Sequence, residues 1–532
     1  MRSLLLSGLG VTYKNSTYFD ESLFGSELTP KADAMLVRSG LPTTWLHDLG
    51  FEDSGAQRPL LRPPDIPPHL TTFTLESILQ DADEDYCRVE LEDVWNDVAR
   101  PPDRDVDVVL LSTTFIWNRQ MLGKVMTWLR EKVPGVPVVA GGQYTNLKFA
   151  VIMDEYPEIT DIVRGDAEVA LPMLLKIQRH GGDRAAVPNL VWRDGTRMRV
   201  NKADYIDLDD FSSPTFPGNF EIAPYESMRG CPFDCKFCSF PAASPKWRYK
   251  SAEKIKNDWE RYRKVNGASA IEAMDSTFTV PPTRLRRLME ILPGSEIPEW
   301  SCYTRANVIK NSEFVDRLLE SYCNYLVIGF ESMNDETLRR MSKRVSSTQN
   351  RRAFELLRGS EMGYTNCFIV GYPGENPNQF GDTQRFLLDE YEGHFMLHMF
   401  SVTDETMPLW EDREALQIEV DDPYDPASPW SHIGMTSSEA TRLQAETLDQ
   451  VRMSNDSAVT FLWQRDYQEP LIPTKSAAAN LAVEKAVERL AMAPRDFENV
   501  DGGAQQILRQ VENLRELGVH VRGRTEDSRM QL

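Results

Sequence analysis

No stretch of the 532 residues approaches the roughly 18 consecutive apolar positions of a membrane-spanning helix. The opening eight residues, Met1 to Gly8, hold one basic side chain and an apolar run too short for a secretory leader. They read instead as a buried first strand. Cysteine is scarce and odd in number. Seven in so long a chain do not make a disulfide framework, which points to a reducing, cytoplasmic compartment. An excess of cations is missing too. With 81 acidic against 59 basic residues the formal charge is −22, a field that repels phosphate backbones and anionic lipid. Neither nucleic acid nor membrane is therefore an expected partner. Internal repeats and low-complexity tracts are absent as well. What is present is an ordinary enzyme-like mixture, 41% hydrophobic and 26% charged, and the length suits about two to four domains with their own cores.

Three blocks follow one another. Residues 105–111, Asp-Val-Asp-Val-Val-Leu-Leu, form a short apolar run of the kind buried on both faces of a parallel sheet. After Ser112-Thr113-Thr114 comes a helical face with Met121, Val125, Trp128 and Leu129, stopped by Pro134-Gly135. Residues 136–140 make a second strand ending in Gly141-Gly142, and Asp161-Ile162-Val163 a third, followed by Gly165. This rhythm predicts an open, Rossmann-like α/β domain over residues 1–200 with ligand contacts at the strand carboxyl ends. Within it, residues 20–100 are Pro-rich and weakly periodic and read as an insertion or lid.

A second α/β rhythm begins near Ala223 and defines a domain over 201–400. Its strands are expected at 270–274, 300–303, 325–330 and 366–371, the spacing of successive βα units, hence a complete or partial barrel. Residues 401–532 change character. A Pro/Asp/Trp-rich stretch from Asp421 to Trp430 precedes a capping box, Thr436-Ser437-Ser438-Glu439. Helical patterns recur at 477–491 and 504–517, the latter ending at Gly518. A mostly helical domain that caps the barrel is expected.

The strongest chemical signal is Arg229-Gly230-Cys231-Pro232-Phe233-Asp234-Cys235-Lys236-Phe237-Cys238. Three thiols spaced C-x₃-C-x₂-C on one tight loop can converge on an iron–sulfur cluster, leaving one iron of a [4Fe–4S] centre open. Structural zinc is the competing reading, but it normally needs four ligands in paired spacing, and no second half follows. Cys302, Cys323 and Cys367 lie in strand-like runs and read as small buried hydrophobes. His394 and His398, four apart near another strand, could face a substrate or sit in the core.

The cysteine loop, at the head of a (β/α) block, resembles that of the radical S-adenosylmethionine (SAM) superfamily. Later segments resemble that family in the same order. Tyr303-Thr304-Arg305-Ala306 is similar to the end of the third strand, whose arginine meets the SAM carboxylate. Ile328-Gly329-Phe330-Glu331-Ser332 resembles the fourth-strand motif, and Val370-Gly371-Tyr372-Pro373-Gly374-Glu375 the glycine-containing fifth, beside the adenine. Asp335-Glu336-Thr337-Leu338 with Lys343 matches the helix between them. The second strand departs from the pattern: Met274-Asp275-Ser276-Thr277 stands where a Gly-Gly-Glu-like contact to the SAM amino group is usual. The resemblance implies that Cys231, Cys235 and Cys238 bind the cluster and that Phe237, Asp275, Arg305, Glu331, Ser332 and Gly371 contact SAM. The upstream block resembles the cobalamin-binding domain that precedes one large radical SAM class. That likeness assigns Ser112, Thr113, Thr114, Gly141, Gly142, Gln143 and Gly165 to the corrin and its nucleotide tail. Arg164-Gly165-Asp166-Ala167-Glu168 resembles, in degraded form, the Gly-Glu-Gly-Glu segment usual there, and no Asp-x-His-x-x-Gly is present to give cobalt a histidine.

The resemblance further implies a partial (β/α)6 barrel and a methyltransferase chemistry. A reduced cluster cleaves SAM to a 5′-deoxyadenosyl radical, which takes a substrate hydrogen, and methylcobalamin supplies the methyl group, with the difficult steps carried by the cofactors. The acceptor is an unactivated carbon or a phosphinate phosphorus of a small-molecule or peptide substrate, and flavodoxin or ferredoxin is the expected electron donor. Trp430-Ser431-His432-Ile433-Gly434-Met435 faintly resembles the phosphinothricin-pathway P-methyltransferases, and Arg229, Lys246 and Arg248 are the cations near the cluster loop that could meet a phosphinate. Two rival readings stay open: cyclisation or rearrangement without methyl transfer, and a non-catalytic corrinoid and Fe–S sensor. A methylthiotransferase would need a second upstream cysteine trio, which is absent.

Overall fold

The computed structural model describes residues 1–8, 30–40, 50–53, 56–59, 68–402, 406–422, 428–460, 472 and 475–519. Two seven-stranded sheets dominate them. The first contains β1 (Arg2–Ser7), β2 (Asp85–Glu90), β3 (Val108–Ser112), β4 (Val138–Gly141), β5 (Ile159–Val163), β6 (Leu190–Asp194) and β7 (Arg197–Val200), in the order β2-β1-β3-β4-β5-β6-β7. The first five run parallel, and β6 and β7 close the edge antiparallel.

The apolar runs of β1 and β3 are continuous because each strand feeds two cores. Leu4, Leu6, Val109 and Leu111 pack into one, and Leu5, Val108 and Leu110 into the other. That is the period-two alternation of a strand covered on both faces. Helix α1 (Leu70–Asp81) and α4 (Ala167–His180) cover one face; α2 (Arg119–Lys132) and α3 (Gln143–Glu155) cover the other. Strand order reverses between β1 and β3, so a crevice opens at their carboxyl ends.

The second sheet runs in sequence order and parallel throughout: β8 (Ile222–Tyr225), β9 (Ala270–Ala273), β10 (Glu299–Arg305), β11 (Cys323–Glu331), β12 (Gly363–Val370), β13 (Gly393–Met399) and β14 (Ala458–Val459). It is an open barrel, since β8 and β14 do not pair. Its outer face buries Trp259, Trp300, Phe330 and Phe368 under the connecting helices. Its inner face is open space: Met274, just past β9, and Tyr303, within β10, keep 47% and 37% exposure.

Two features bear on the expected domain bounds. Residues 20–100 are not simply an insertion. Their last third supplies β2, a strand of the first sheet, and α1, which covers it, while residues 20–29, 41–49, 54–55 and 60–67 lie outside the described residues. Nor do cuts at 200 and 400 separate the cores. Met35 and Leu36 pack among the C-terminal α5 (Ala477–Ala491) and α6 (Val500–Glu516), Arg38 pairs with Asp501 at 2.7 Å, and β14 from the C-terminal block adds a seventh strand to the barrel.

Candidate active site

The cysteine loop leaves the carboxyl end of β8 through a short hairpin, Met228–Arg229 against Arg248–Tyr249. Gly230 turns there with φ +77°, and a Cβ on it would lie 2.7 Å from the Lys246 carbonyl oxygen, so only glycine fits. Asp275 braces the start of the loop. Its buried carboxyl accepts from the amides of Ser227 and Met228, each at 2.8 Å, and from the Ser227 hydroxyl. Burial pushes Asp275 up to about 6, against the pull of Arg284. Both of its oxygens are thus engaged in holding the loop.

Other strands reach the same loop. Arg305, at the end of β10, donates to Cys235 Sγ at 3.3 Å and to the Lys343 carbonyl, with its guanidinium 4.0 Å over the Phe233 ring. Glu331, at the end of β11, has φ +64°, a conformation side chains rarely adopt, and pairs with Lys343 at 2.7 Å. Lys343 in turn lies over the Phe237 ring. Lys236 donates its amide to Met341 and its ammonium to Asp412. Ser332 is fully buried and turned away, accepting from the Asn334 amide.

Gly371 follows β12 with φ +84°, and a Cβ there would strike Trp430 at 2.6 Å and Ala440 at 2.8 Å. His432 locks that turn: Nδ1 accepts from the amides of Gly374 and Gly434, and Nε2 donates to the Gly371 carbonyl. Burial pushes His432 down to about 4 and the enclosed Glu375 up to about 8. The segment from Trp430 is therefore a lid against the fifth-strand turn.

The three loop cysteines are free thiols, Cys235 buried and the others half-buried. As they stand, no three described Cys, His, Asp or Glu side chains form a closed metal cage. Their chemistry nevertheless fits a cluster of soft metal: three thiols share one loop, and burial, reinforced by Cys235 and Cys231, raises Cys238 to about 11 until a metal removes its proton.

A cleft of about 430 Å³ separates this loop from the carboxyl ends of the first sheet. Thr114, Gly142 and Gly165 line one wall, and Met228, Phe240 and Met274 the other. Gly142 has φ +107°, and a Cβ on it would come within 2.6 Å of the Thr114 amide. Thr113 is buried behind it, donating to the Gly141 carbonyl at 2.8 Å, while Ser112, Gln143 and Gly141 complete the rim. The Gly142 backbone thus packs directly against that of Thr113 and Thr114, a close approach that only glycine allows. A group larger than the cleft extends through its open mouth.

Asp166 and Glu168, in the segment likened to Gly-Glu-Gly-Glu, tie the walls together. Asp166 takes Arg229 at 2.9 Å and Arg248 at 2.5 Å, and Glu168 takes Arg229 at 2.6 Å. Glu226 is a third partner of Arg229. Asn146 bridges as well, accepting from the Gly165 amide and donating to the Ala243 carbonyl. The two arginines offered to a phosphinate are therefore committed elsewhere, and Lys246 lies over the Tyr205 ring. The clamp was not legible in the sequence, because Asp166 and Glu168 lie more than 60 residues from the arginines they hold. His394 is held by Glu484 and Tyr325, away from the loop. His398, on β13, is exposed on the open inner face. His69 was not singled out by the sequence. It caps α1 and lines the cleft, and burial and Arg88 push it down to about 4.

Comparison with known proteins follows the same division. Residues 225–387 match the model of the radical SAM superfamily. Among curated proteins, an uncharacterized methyltransferase, PH0819, of Pyrococcus horikoshii is 24% identical over 305 residues, 53% of this chain and 64% of that one. The cobalamin-dependent radical SAM methyltransferase TokK of Streptomyces tokunonensis is 26% identical over 309 residues, 53% of this chain and 45% of that one. The matched stretches thus span about half to two-thirds of these relatives. Solved structures share the fold over nearly the whole chain. The cobalamin-dependent SAM radical enzyme OxsB, with aqua-cobalamin and SAM bound, superposes with a TM-score of 0.60 at 13% identity, over 98% of this chain and 75% of that one. The radical SAM methyltransferase TsrM from Kitasatospora setae, with cobalamin and a [4Fe–4S] cluster bound, gives 0.58 at 14% identity, over 97% and 99%. Among the described residues no helix is long and apolar enough to cross a membrane. Cysteine loop, strand order and family match agree: residues 225–387 of this chain are a radical SAM domain.

Proposed function

We propose that the chain is a cobalamin-dependent radical SAM methyltransferase that methylates an unactivated carbon of a small-molecule or peptide substrate. The observation that carries this is the cleft itself, bounded by Gly142 and Thr114 on the first sheet and by the cysteine loop's Met228 and Phe240 on the barrel. A group seated there lies between two sets of strand carboxyl ends, within reach of both. When bound, the cluster and SAM supply the one-electron removal of a substrate hydrogen, and the corrinoid supplies the methyl group.

The chain's own residues bind, orient and exclude water. Cys231, Cys235 and Cys238 hold the cluster. Arg305 steadies the loop through Cys235 and Phe233, and the Glu331–Lys343 pair fixes the adjoining turn. Phe237 and Gly371 border the SAM site, with Glu375 and His432 rigidifying the turn at Gly371. Asp275 and Ser332 act on SAM indirectly, through the loop and turn they brace. The substrate enters the open inner face of the barrel, past Met274, Tyr303 and His398. Carbon is favoured over phosphinate phosphorus because Arg229 and Arg248 are occupied by Asp166, Glu168 and Glu226. Flavodoxin or ferredoxin serves as electron donor.

The test is the corrinoid content of protein purified without oxygen from cobalamin-fed cells, followed by transfer of labelled methyl from SAM. About one corrinoid per chain and a product heavier by one CH2 are expected. Corrinoid with deoxyadenosine release but an unchanged product mass would favour cyclisation or rearrangement. Corrinoid without deoxyadenosine release would favour a sensor.

A further inference from the structure

We propose that Tyr303 and His398 select the substrate, and that the part of it entering the barrel is uncharged and carries hydrogen-bonding groups such as amides. This rests on the reading above that the substrate enters by the open inner face.

Strand alternation decides which side chains meet that substrate. Ile271 and Ala273 of β9, Trp300 and Cys302 of β10, and Phe395 and Leu397 of β13 all pack into the outer core. Glu272, Tyr303 and His398 therefore face inward, and Tyr303 and His398 are exposed there. Register carries Tyr303 across to Val327, Thr365 and His394. His398 thus stands three strands away, roughly 14 Å along the sheet, and four residues nearer the carboxyl ends. The two side chains meet separate parts of one molecule.

Charge on this face is already matched within the protein. Arg305 donates to Cys235 Sγ and to the Lys343 carbonyl, and Glu331 pairs with Lys343. Glu272 has a partner within the chain too, and His394 is held by Glu484 and Tyr325. A carboxylate, phosphinate or ammonium entering here would shed water and find no unmatched opposite charge among these residues, which is costly.

Tyr303 and His398 differ from those groups. Among the described residues neither side chain has a hydrogen-bond partner. Desolvation inside the barrel, reinforced by Glu272 and Cys367, raises the Tyr303 phenol well above its usual range, so it remains a donor. Desolvation also lowers His398, against the pull of Glu331, so its ring is neutral, with one donor and one acceptor nitrogen. Val327 beside Tyr303, and Met396 on the same face of β13 as His398, are apolar. A largely apolar wall with a few placed polar groups is how small-molecule sites fix orientation. Unanswered hydrogen-bonding groups then discriminate against ligands that cannot pair with them.

The test uses the full chain, purified without oxygen from cobalamin-fed cells, and three matched probes. N-acetylphenylalanine amide carries two neutral amides; N-acetylphenylalanine replaces one by a carboxylate, and phenylalanine amide replaces the other by an ammonium. Equilibrium dialysis should show the neutral probe held about tenfold tighter than either charged one. Tyr303→Phe, which removes only a hydroxyl, should erase most of that preference, as should His398→Leu. His398→Gln, which still donates and accepts, should retain it. The ranking of the probes is the readout, so a variant that folds poorly and weakens all three alike does not imitate the effect. Equal binding of the three, tighter binding of a charged probe, or binding of none would overturn the proposal. So would a preference that survives both Tyr303→Phe and His398→Leu. Corrinoid content and deoxyadenosine release in the same preparation keep the two readings apart. A corrinoid-loaded, SAM-cleaving protein without the preference defeats this inference alone, and the preference without corrinoid defeats the cobalamin reading alone.

Discussion

The two walls of the cleft are built by different means. The wall with the cysteine loop is held by polar side chains converging from several strands: Asp275, Arg305, and Glu331 with Lys343. The opposite wall is shaped by backbone, with Gly142 and Gly165 at positive φ and Thr113 bonded behind them. The first kind of wall is fixed by charge and hydrogen bonds, the second by the absence of side chains. Perturbations should therefore separate them.

The largest separation is expected from the cluster ligands. Replacing Cys231, Cys235 or Cys238 by Ala should remove iron and sulfide and abolish methyl transfer, while the glycine wall keeps its corrinoid. Loss of corrinoid along with iron, measured by metal analysis and absorbance, would show that the walls are not independent.

The clamp between the walls comes next. In Asp166→Ala, the side chains of Arg229 and Arg248 lose their shared buried carboxylate. Burial works against that carboxylate's charge, and Arg229 and Arg248 overcome it, holding it below the usual range. Removing one partner of a buried pair costs about 3–5 kcal/mol. The lower end applies here, because Arg229 keeps Glu168 and Glu226. Urea unfolding followed by fluorescence should show an earlier midpoint. An unchanged midpoint would mean that the walls meet through shape alone.

How much of this was visible beforehand follows the same division. The strands were legible because apolar runs buried on both faces have no competing pattern: 105–111 became Val108–Ser112, and 325–330 lies within Cys323–Glu331. The capping threonine was equally local, as Thr436 accepts from the Glu439 amide. The cysteine spacing is local too. The Asp166–Arg229 clamp, the His432 lock and the place of His69 on the cleft are not. Each joins residues whose meeting depends on the finished topology, and single Asp, Arg or His residues carry no period that would betray them. Likewise β14 has two residues and pairs across more than 50 positions, too little for any pattern to register.

On the barrel side, pH offers a sharper test. Burial raises Glu375 to about 8 from an unfolded value near 4.5. A carboxyl raised on folding contributes stability that is complete below the unfolded value and is lost as pH climbs through the folded one. Stability should fall between about pH 5 and 8, by an amount on the order of a few kcal/mol. Glu375→Gln, which cannot ionise, should flatten that decline. Asp275, raised to about 6, works in the same direction over a lower window, so a residual slope near pH 4–6 should remain in the variant. A decline unchanged by the substitution would place the titration elsewhere.

The smallest effects, and the most discriminating for the backbone wall, come from its two glycines. Gly142 has φ +107° and ψ 178°, a region open almost only to glycine, and a Cβ there would overlap the Thr114 amide. Gly142→Ala should cost about 2–3 kcal/mol and weaken corrinoid retention, because the Thr113–Thr114 backbone must give way. Gly165 also has positive φ, +86°, but nothing lies within 4 Å of its added Cβ. Gly165→Ala should cost only about 1 kcal/mol and disturb the fold little. If the wall serves merely to fold the chain, both variants will bind corrinoid in proportion to their stability. If it serves to admit a flat cofactor, Gly165→Ala will lose more corrinoid than its small stability loss explains, since Gly165 lines the cleft. Equilibrium dialysis against cobalamin, set beside the unfolding midpoints, decides between the two.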